Sequence, residues 1–204
     1  MSWFRRTPLA DAVWAVVDCE TSGLDPKHDR LLSVAAIAVA HDRVVPARSY
    51  SALLRQDAPS DAGNILVHGI GGEAQLGGRS AQEVLAELAA FIDDAIPVAF
   101  HAPFDRAVLA RAFATARVKA PTRRWLDLAT LAPAFFPDRK ATDLDSWLAA
   151  FGIECTARHD ALSDAYATAQ LLLVALAKAR REGVATVEAL LRLARSGAWL
   201  RSRR

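Results

Sequence analysis

Apolar and polar positions fall into blocks of different period along the chain. Val13–Cys19 is an apolar run rich in β-formers that stops at Ser22-Gly23-Leu24-Asp25-Pro26, where Gly and Pro punctuate an extended segment. Arg30–Ala40 is a second such run, and after the polar break His41-Asp42-Arg43 a third continues to about Arg55. So short a break predicts an antiparallel hairpin. Residues 56–79, with Pro59 and six glycines, are expected to form one long loop, and loops of that length in compact domains are usually functional or mobile. From Ser80 the period becomes helical. Ser80 is placed as an N-cap with Glu83 completing a capping box, and Val84, Leu85, Leu88, Phe91 and Ile92 share one face of a helix reaching about Asp94. Short strands are expected at Ile96–Phe100 and Arg124–Asp127. Helices are expected over Phe104–Arg117, Leu128–Phe135, Thr142–Phe151, Asp160–Arg181 and Thr186–Leu200. Three strands followed by alternating helix and strand predict an α/β domain with a mixed sheet and helices on its faces.

Composition narrows the classes. In a chain of 204 residues, 52% hydrophobic content excludes a disordered polypeptide, which lacks the apolar area to offset ordering entropy. Apolar runs such as Ala12–Val17, Val34–Ala40 and Leu171–Ala177 are far shorter than the ~20 residues of a spanning helix, so no membrane role is expected. Met1-Ser2-Trp3-Phe4-Arg5-Arg6 is not followed by the apolar core of a secretory signal. The two cysteines, Cys19 and Cys155, suggest a reducing cytoplasm and no disulfide framework. The formal net charge of +2 conceals an asymmetry: residues 176–204 hold eight Lys and Arg against Glu182 and Glu188, so the remainder is acidic. A metal-binding body with a phosphate-attracting tail fits this pattern, and so does an ordinary solvated helix end.

Acidic residues carry the candidate chemistry. Asp18 and Glu20 end the first strand, where a period of two puts both carboxylates on one face and Cys19 on the other. Their mutual repulsion costs free energy unless a cation or protons occupy the site. Asp105 follows the strand Ile96–Phe100 at the start of a helix, the strand-end position where α/β sheets place their sites. His159 precedes the long helix and Asp164 lies one turn inside it, near a face of small and apolar residues. Singly, each is an ordinary feature of a strand end or helix start. Jointly, four carboxylates and a histidine from separate elements suit a pair of hard divalent cations, and His159 is placed to take a proton from water.

The motifs Asp18-Cys19-Glu20-Thr21-Ser22-Gly23-Leu24, Phe104-Asp105 and His159-Asp160-Ala161-Leu162-Ser163-Asp164-Ala165 occur in this order, with Val67-His68-Gly69-Ile70 between the first two. In motif and spacing the chain resembles the DnaQ-like DEDDh 3′–5′ exonucleases, the group that includes the proofreading epsilon subunit of bacterial DNA polymerase III. The resemblance covers about residues 13–178, and Asp127-Leu128 and Leu144-Asp145-Ser146 also sit where the family has similar segments. It implies a ribonuclease H-like fold, here a mixed five-stranded sheet with helices on both faces. Residues 1–180 would form the exonuclease domain, and 181–204 a basic helix and tail packed on it or extending from it. It implies that Asp18, Glu20, Asp105 and Asp164 hold two Mg²⁺ or Mn²⁺ ions, that His159 is the general base, and that Thr21, Ser22, Gly23, Leu24 and His68 meet the terminal nucleotide. Phe104 is a candidate for stacking on a base. The family usually has His-Asn where this chain has Phe100-His101, so His101 stands in the usual Asn place as a candidate substrate contact.

The implied activity is hydrolysis of terminal phosphodiesters at a single-stranded 3′ end to 5′-mononucleotides, with DNA favoured as substrate. Trimming of short RNA is the alternative, and a non-catalytic nucleic-acid-binding adaptor on the same fold a further one. A DNA polymerase or another replication or repair protein is a possible partner. The absence of a recognisable clamp-binding peptide leans toward a freestanding enzyme. The basic tail, through Arg201, Arg203 and Arg204, is a candidate grip on the substrate backbone.

Overall fold

A computed structural model describes residues 7–201 of the chain, and the side chains of residues 7–196. Five strands form one sheet in the order β3-β2-β1-β4-β5. They are β1 (Trp14–Thr21), β2 (Leu31–Ala40), β3 (Arg43–Leu53), β4 (Ile96–Ala99) and β5 (Leu126–Asp127). The first three are antiparallel neighbours, while β1–β4 and β4–β5 are parallel, so the sheet is mixed as the sequence predicts. The hairpin closes at Ala40 and Arg43. His41 and Asp42 both take positive φ, 49° and 61°, as the tight turn of a twisted hairpin requires. The guanidinium of Arg180 binds both carboxylate oxygens of Asp42 and ties this turn to the end of α7 (Ala161–Arg181).

Helices cover both faces. Trp14 and Val16 of β1 pack in one core with Ala165, Ala169 and Leu172 of α7, beneath α5 (Leu128–Phe135) and α8 (Val187–Arg201). Ala15 and Val17 point the other way, into a core with Leu85 and Leu88 of α3 (Ala81–Ile92) and Val108 of α4 (Ala102–Thr115). All ten residues of β2 are buried, because strands on both sides and helices on both faces leave it no solvent. The alanines of α7 let that helix lie close on the sheet. Trp147 of α6 (Leu144–Ala150) fills the angle between α6 and α7 beside Ala167 and Leu171. Val187, Leu190, Leu191 and Ala194 bury one face of α8 in the first core. The candidate grip residues Arg203 and Arg204 lie outside the described residues, as does the side chain of Arg201.

The segment 56–79 is not one loop. It holds two short helices, α1 (Ala62–His68) and α2 (Gly72–Leu76). Asp61 caps the first by accepting from the Asn64 amide at 3.0 Å, and Gly69 closes it in the left-handed conformation at φ 69°. Helix α4 begins at Ala102, earlier than the sequence predicts. The Asp127 carboxylate accepts the Ala102 amide at 3.3 Å, and Pro103 suits a first turn.

Candidate active site

The alternation that builds the core of β1 also builds its acidic end. Asp18 and Glu20 continue the Trp14–Val16 face toward α7, and Cys19 continues the opposite face toward α4. A bulge in the β1–β2 register at Glu20/Thr21 ends regular pairing beside the site, a common place for one. Asp164 enters from the first turn of α7 and is 5% exposed. Asp18, Glu20 and Asp164 each offer an oxygen, and all three oxygens lie within 4.8 Å of one another. Asp105, also 5% exposed, comes from the first turn of α4 and lines the same cleft of about 460 Å³. The rim of this cleft holds Leu24, His101, Phe104 and His159.

The turn before α7 is folded around Asp164. The His159 amide donates to its Oδ2 at 2.9 Å, Cys155 Sγ approaches its Oδ1 at 3.3 Å, and the Arg158 guanidinium binds the same Oδ1. Arg158 also binds Asp145 at the start of α6. His159 takes φ 61°, an uncommon conformation for a residue with a Cβ, and its ring is exposed at the cleft with no hydrogen bond to other described residues.

Burial and crowding of like charges make the cleft demand positive charge. Desolvation, then the neighbouring Asp105 and Glu20, push the Asp18 carboxyl well above its ordinary value. Desolvation and then Asp164 push Glu20 up to about 8, and desolvation pushes Asp105 up to about 7. A bare cleft would therefore hold protons near neutral pH. An all-oxygen set of converging carboxylates fits hard divalent cations, which would displace those protons.

Substrate-side residues divide into two groups. His101 caps α4 at φ 64° and is exposed at the cleft, its ring edge-on to Phe100 at 4.9 Å. Asn and His are among the few residues that tolerate this backbone, which gives a physical reason for His in the usual Asn place. Phe104 lines the cleft and packs on the second core as well. Leu24 is 91% exposed at the rim. By contrast, Thr21, Ser22 and Gly23 build the turn. Thr21 Oγ1 donates to the Gly23 carbonyl at 2.6 Å and Ser22 Oγ to Asp29 at 3.2 Å, and any Cβ on Gly23 would meet the Asp29 carboxylate at 2.5 Å. His68 is placed differently from its expected role at the nucleotide. It is 6% exposed, off the cleft, with Nε2 on Ser60 Oγ at 3.3 Å and Nδ1 accepting the Ile70 amide at 3.0 Å. Burial lowers its pKa, which suits a neutral structural ring.

Two contributors were not assigned from sequence. Arg158 adjoins a recognised motif, yet only the fold reveals that it joins Asp145 to Asp164. Asp127 links the starts of α4 and α5, accepting the amides of Ala102 and of Ala129 at 3.1 Å.

A ribonuclease H-like sheet whose central strand ends in Asp18 and Glu20 converging with Asp164, with Asp105 lining the same cleft, defines the class as a DnaQ-like nuclease domain. The exonuclease family model matches residues 15–172, and the chain belongs to that family. It is 31% identical to a DNA polymerase III subunit epsilon-like protein of Rhodobacter capsulatus over 93% of this chain and 27% of that one. It is also 31% identical to the PolC-type DNA polymerase III of Thermotoga maritima over 81% of this chain and 12% of that one. The chain thus spans under a third of the length of either relative. Among solved structures, Escherichia coli exonuclease I in complex with a dT13 oligonucleotide superimposes with TM-score 0.74 at 20% identity, covering 84% of this chain and 42% of that chain. Exonuclease X in complex with 5′ overhanging duplex DNA gives TM-score 0.70 at 22% identity, covering 89% of this chain and 99% of that chain. These two likenesses concern the fold. Among the described residues no helix is long and apolar enough to cross a membrane.

Proposed function

We propose that this chain removes nucleotides from the 3′ end of nucleic acid by hydrolysing the terminal phosphodiester, with DNA preferred over RNA and 5′-mononucleotides released. The observation that carries this reading is the convergence of Asp18, Glu20 and Asp164 oxygens within 4.8 Å, in a desolvated cleft with a free histidine on its rim. Asp18, Glu20, Asp105 and Asp164 would hold two divalent cations, Mg²⁺ or Mn²⁺, which when bound supply the positive charge that water activation and departure of the 3′ oxygen require. His159, its ring exposed at the cleft, takes the proton of the attacking water as general base. Asp164 fixes the turn that presents this ring by accepting the His159 amide. Leu24, Phe104 and His101, which line the cleft, would contact the terminal nucleotide, with Phe104 available to stack on its base. Preference for DNA draws support from the names of the relatives, and so does a replication or repair polymerase as partner.

A time course on 5′-labelled single strands of DNA and RNA with equal sequence tests the proposal in Mg²⁺ or Mn²⁺. The expected result is a ladder that shortens from the 3′ end, faster on DNA, and is abolished by EDTA and by Asp164→Ala. A faster RNA ladder would reverse the substrate preference. Binding without turnover in either metal would favour an adaptor over an enzyme.

A further inference from the structure

The first turn of α4 separates the acidic cleft from a second concavity of about 420 Å³ with the opposite charge. Cleft and groove share this turn. His101, Phe104 and Asp105 face the cleft, whereas Ala102, Pro103 and Arg106 face the groove. Four arginines from three places in the chain line the groove: Arg106 of α4, Arg123 and Arg124 before β5, and Arg195 of α8. Its apolar floor includes Trp125 and Leu191. Arg123 lies 3.9 Å from Asp93. Among the described residues Arg106, Arg124 and Arg195 are in no ion pair, and all three are exposed. The one acid lining the groove among the described residues, Asp127, accepts the amides of Ala102 and Ala129, so four arginines face a single carboxylate there. Three exposed guanidiniums with no ion-pair partner among the described residues line this groove beside a single carboxylate, which leaves it net positive. Guanidinium forks match phosphate oxygens, and a basic groove with an aromatic and apolar floor is the usual arrangement for tracking a single strand.

We infer that this groove is a nucleic-acid site separate from the catalytic cleft, holding the phosphodiester backbone of single-stranded substrate 5′ of the residues in the cleft. This rests on the nuclease reading above. A strand with its 3′ end among the carboxylates passes the start of α4 and lays its upstream phosphates on Arg106, Arg124 and Arg195. The groove therefore selects for length and leaves hydrolysis to the cleft.

The test compares wild-type protein with Arg106→Ala/Arg124→Ala/Arg195→Ala on a trinucleotide and on a ~15-residue single strand, near the upper site size for one small domain. Fluorescence anisotropy in EDTA reads affinity across a salt series, and turnover in Mn²⁺ reads kcat and KM. For the long strand, the triple variant is expected to bind ~10–100-fold more weakly, with a log–log salt slope shallower by about 2, at about 0.7 per lost phosphate contact on single strands. Its turnover of the trinucleotide should match wild type, which also shows that the variant is folded. An unchanged salt slope and affinity for the long strand would overturn the inference. So would a variant that keeps the long strand but loses binding to polyglutamate, since the groove would then serve an acidic protein. If wild-type protein turned over neither strand in Mn²⁺, the proposed function would fail, while the length-dependent anisotropy would still read the groove.

Discussion

The two halves of β1 obey one alternation and serve opposite ends. In Trp14–Val17 every side chain is buried, and the two faces fill two cores. In Asp18–Thr21 the same faces continue half-buried, and one of them carries two carboxylates aimed at a third. The first half lowers the free energy of the fold, whereas the second raises it by holding like charges together out of water. Such a conflict within one strand marks a site kept for function, because folding alone would remove it.

The contrast is broken most sharply at Asp18. Asp18→Asn keeps the shape and removes one charge, so activity should fall to background while the melting temperature of the metal-free protein stays level or rises. A variant that simply unfolds would contradict this. His159→Ala should lower kcat by ~10²–10⁴-fold, the usual contribution of a general base, with the metal concentration for half-activity held nearly constant and the pH dependence of the rate flattened. Trp14→Ala, in the other half of the strand, should cost about 3–5 kcal/mol in denaturant unfolding and leave activity per folded molecule intact. His68→Ala should cost about 1–3 kcal/mol by leaving the Ile70 amide without its acceptor and removing one contact of Ser60 Oγ, which keeps Gln75 Nε2, with little change in kcat. A large fall in kcat at unchanged stability would instead return His68 to the substrate.

The last test is a pH dependence. Burial pushes the Glu20 carboxyl up to about 8 and that of Asp105 up to about 7, from ordinary values of 4.5 and 3.8. Between those limits the folded state holds protons that the unfolded chain has released. Stability of the metal-free protein therefore falls as pH rises from about 4 to about 8. Melting curves in EDTA should show this decline, and saturating Mn²⁺ should flatten it.

The parts legible in the sequence are those with a local cause. Period-two alternation placed Asp18 and Glu20 on one face, the short polar break fixed the hairpin, and helical periodicity located α3 and α7. Helices α1 and α2 were missed because seven and five residues are too few to display a helical period among so many glycines, although the Asp61 cap and Gly69 stop were readable signals. The surroundings of His68 were hidden for a related reason. Its motif is local, but its partners Ser60 and Ile70 meet it only once the segment has folded. Neither the link from Arg158 to Asp145 nor the arginine groove leaves a trace in spacing, since each joins distant parts of the chain.

Calorimetric titration of Mn²⁺ into metal-free wild-type, Asp18→Asn and Asp164→Asn proteins tests the converging carboxylates most directly. A cation site gives saturable binding to the wild type that is lost in both variants, with all three proteins equally folded by circular dichroism. Wild-type binding indistinguishable from that of the two variants would show that these carboxylates do not form one metal centre.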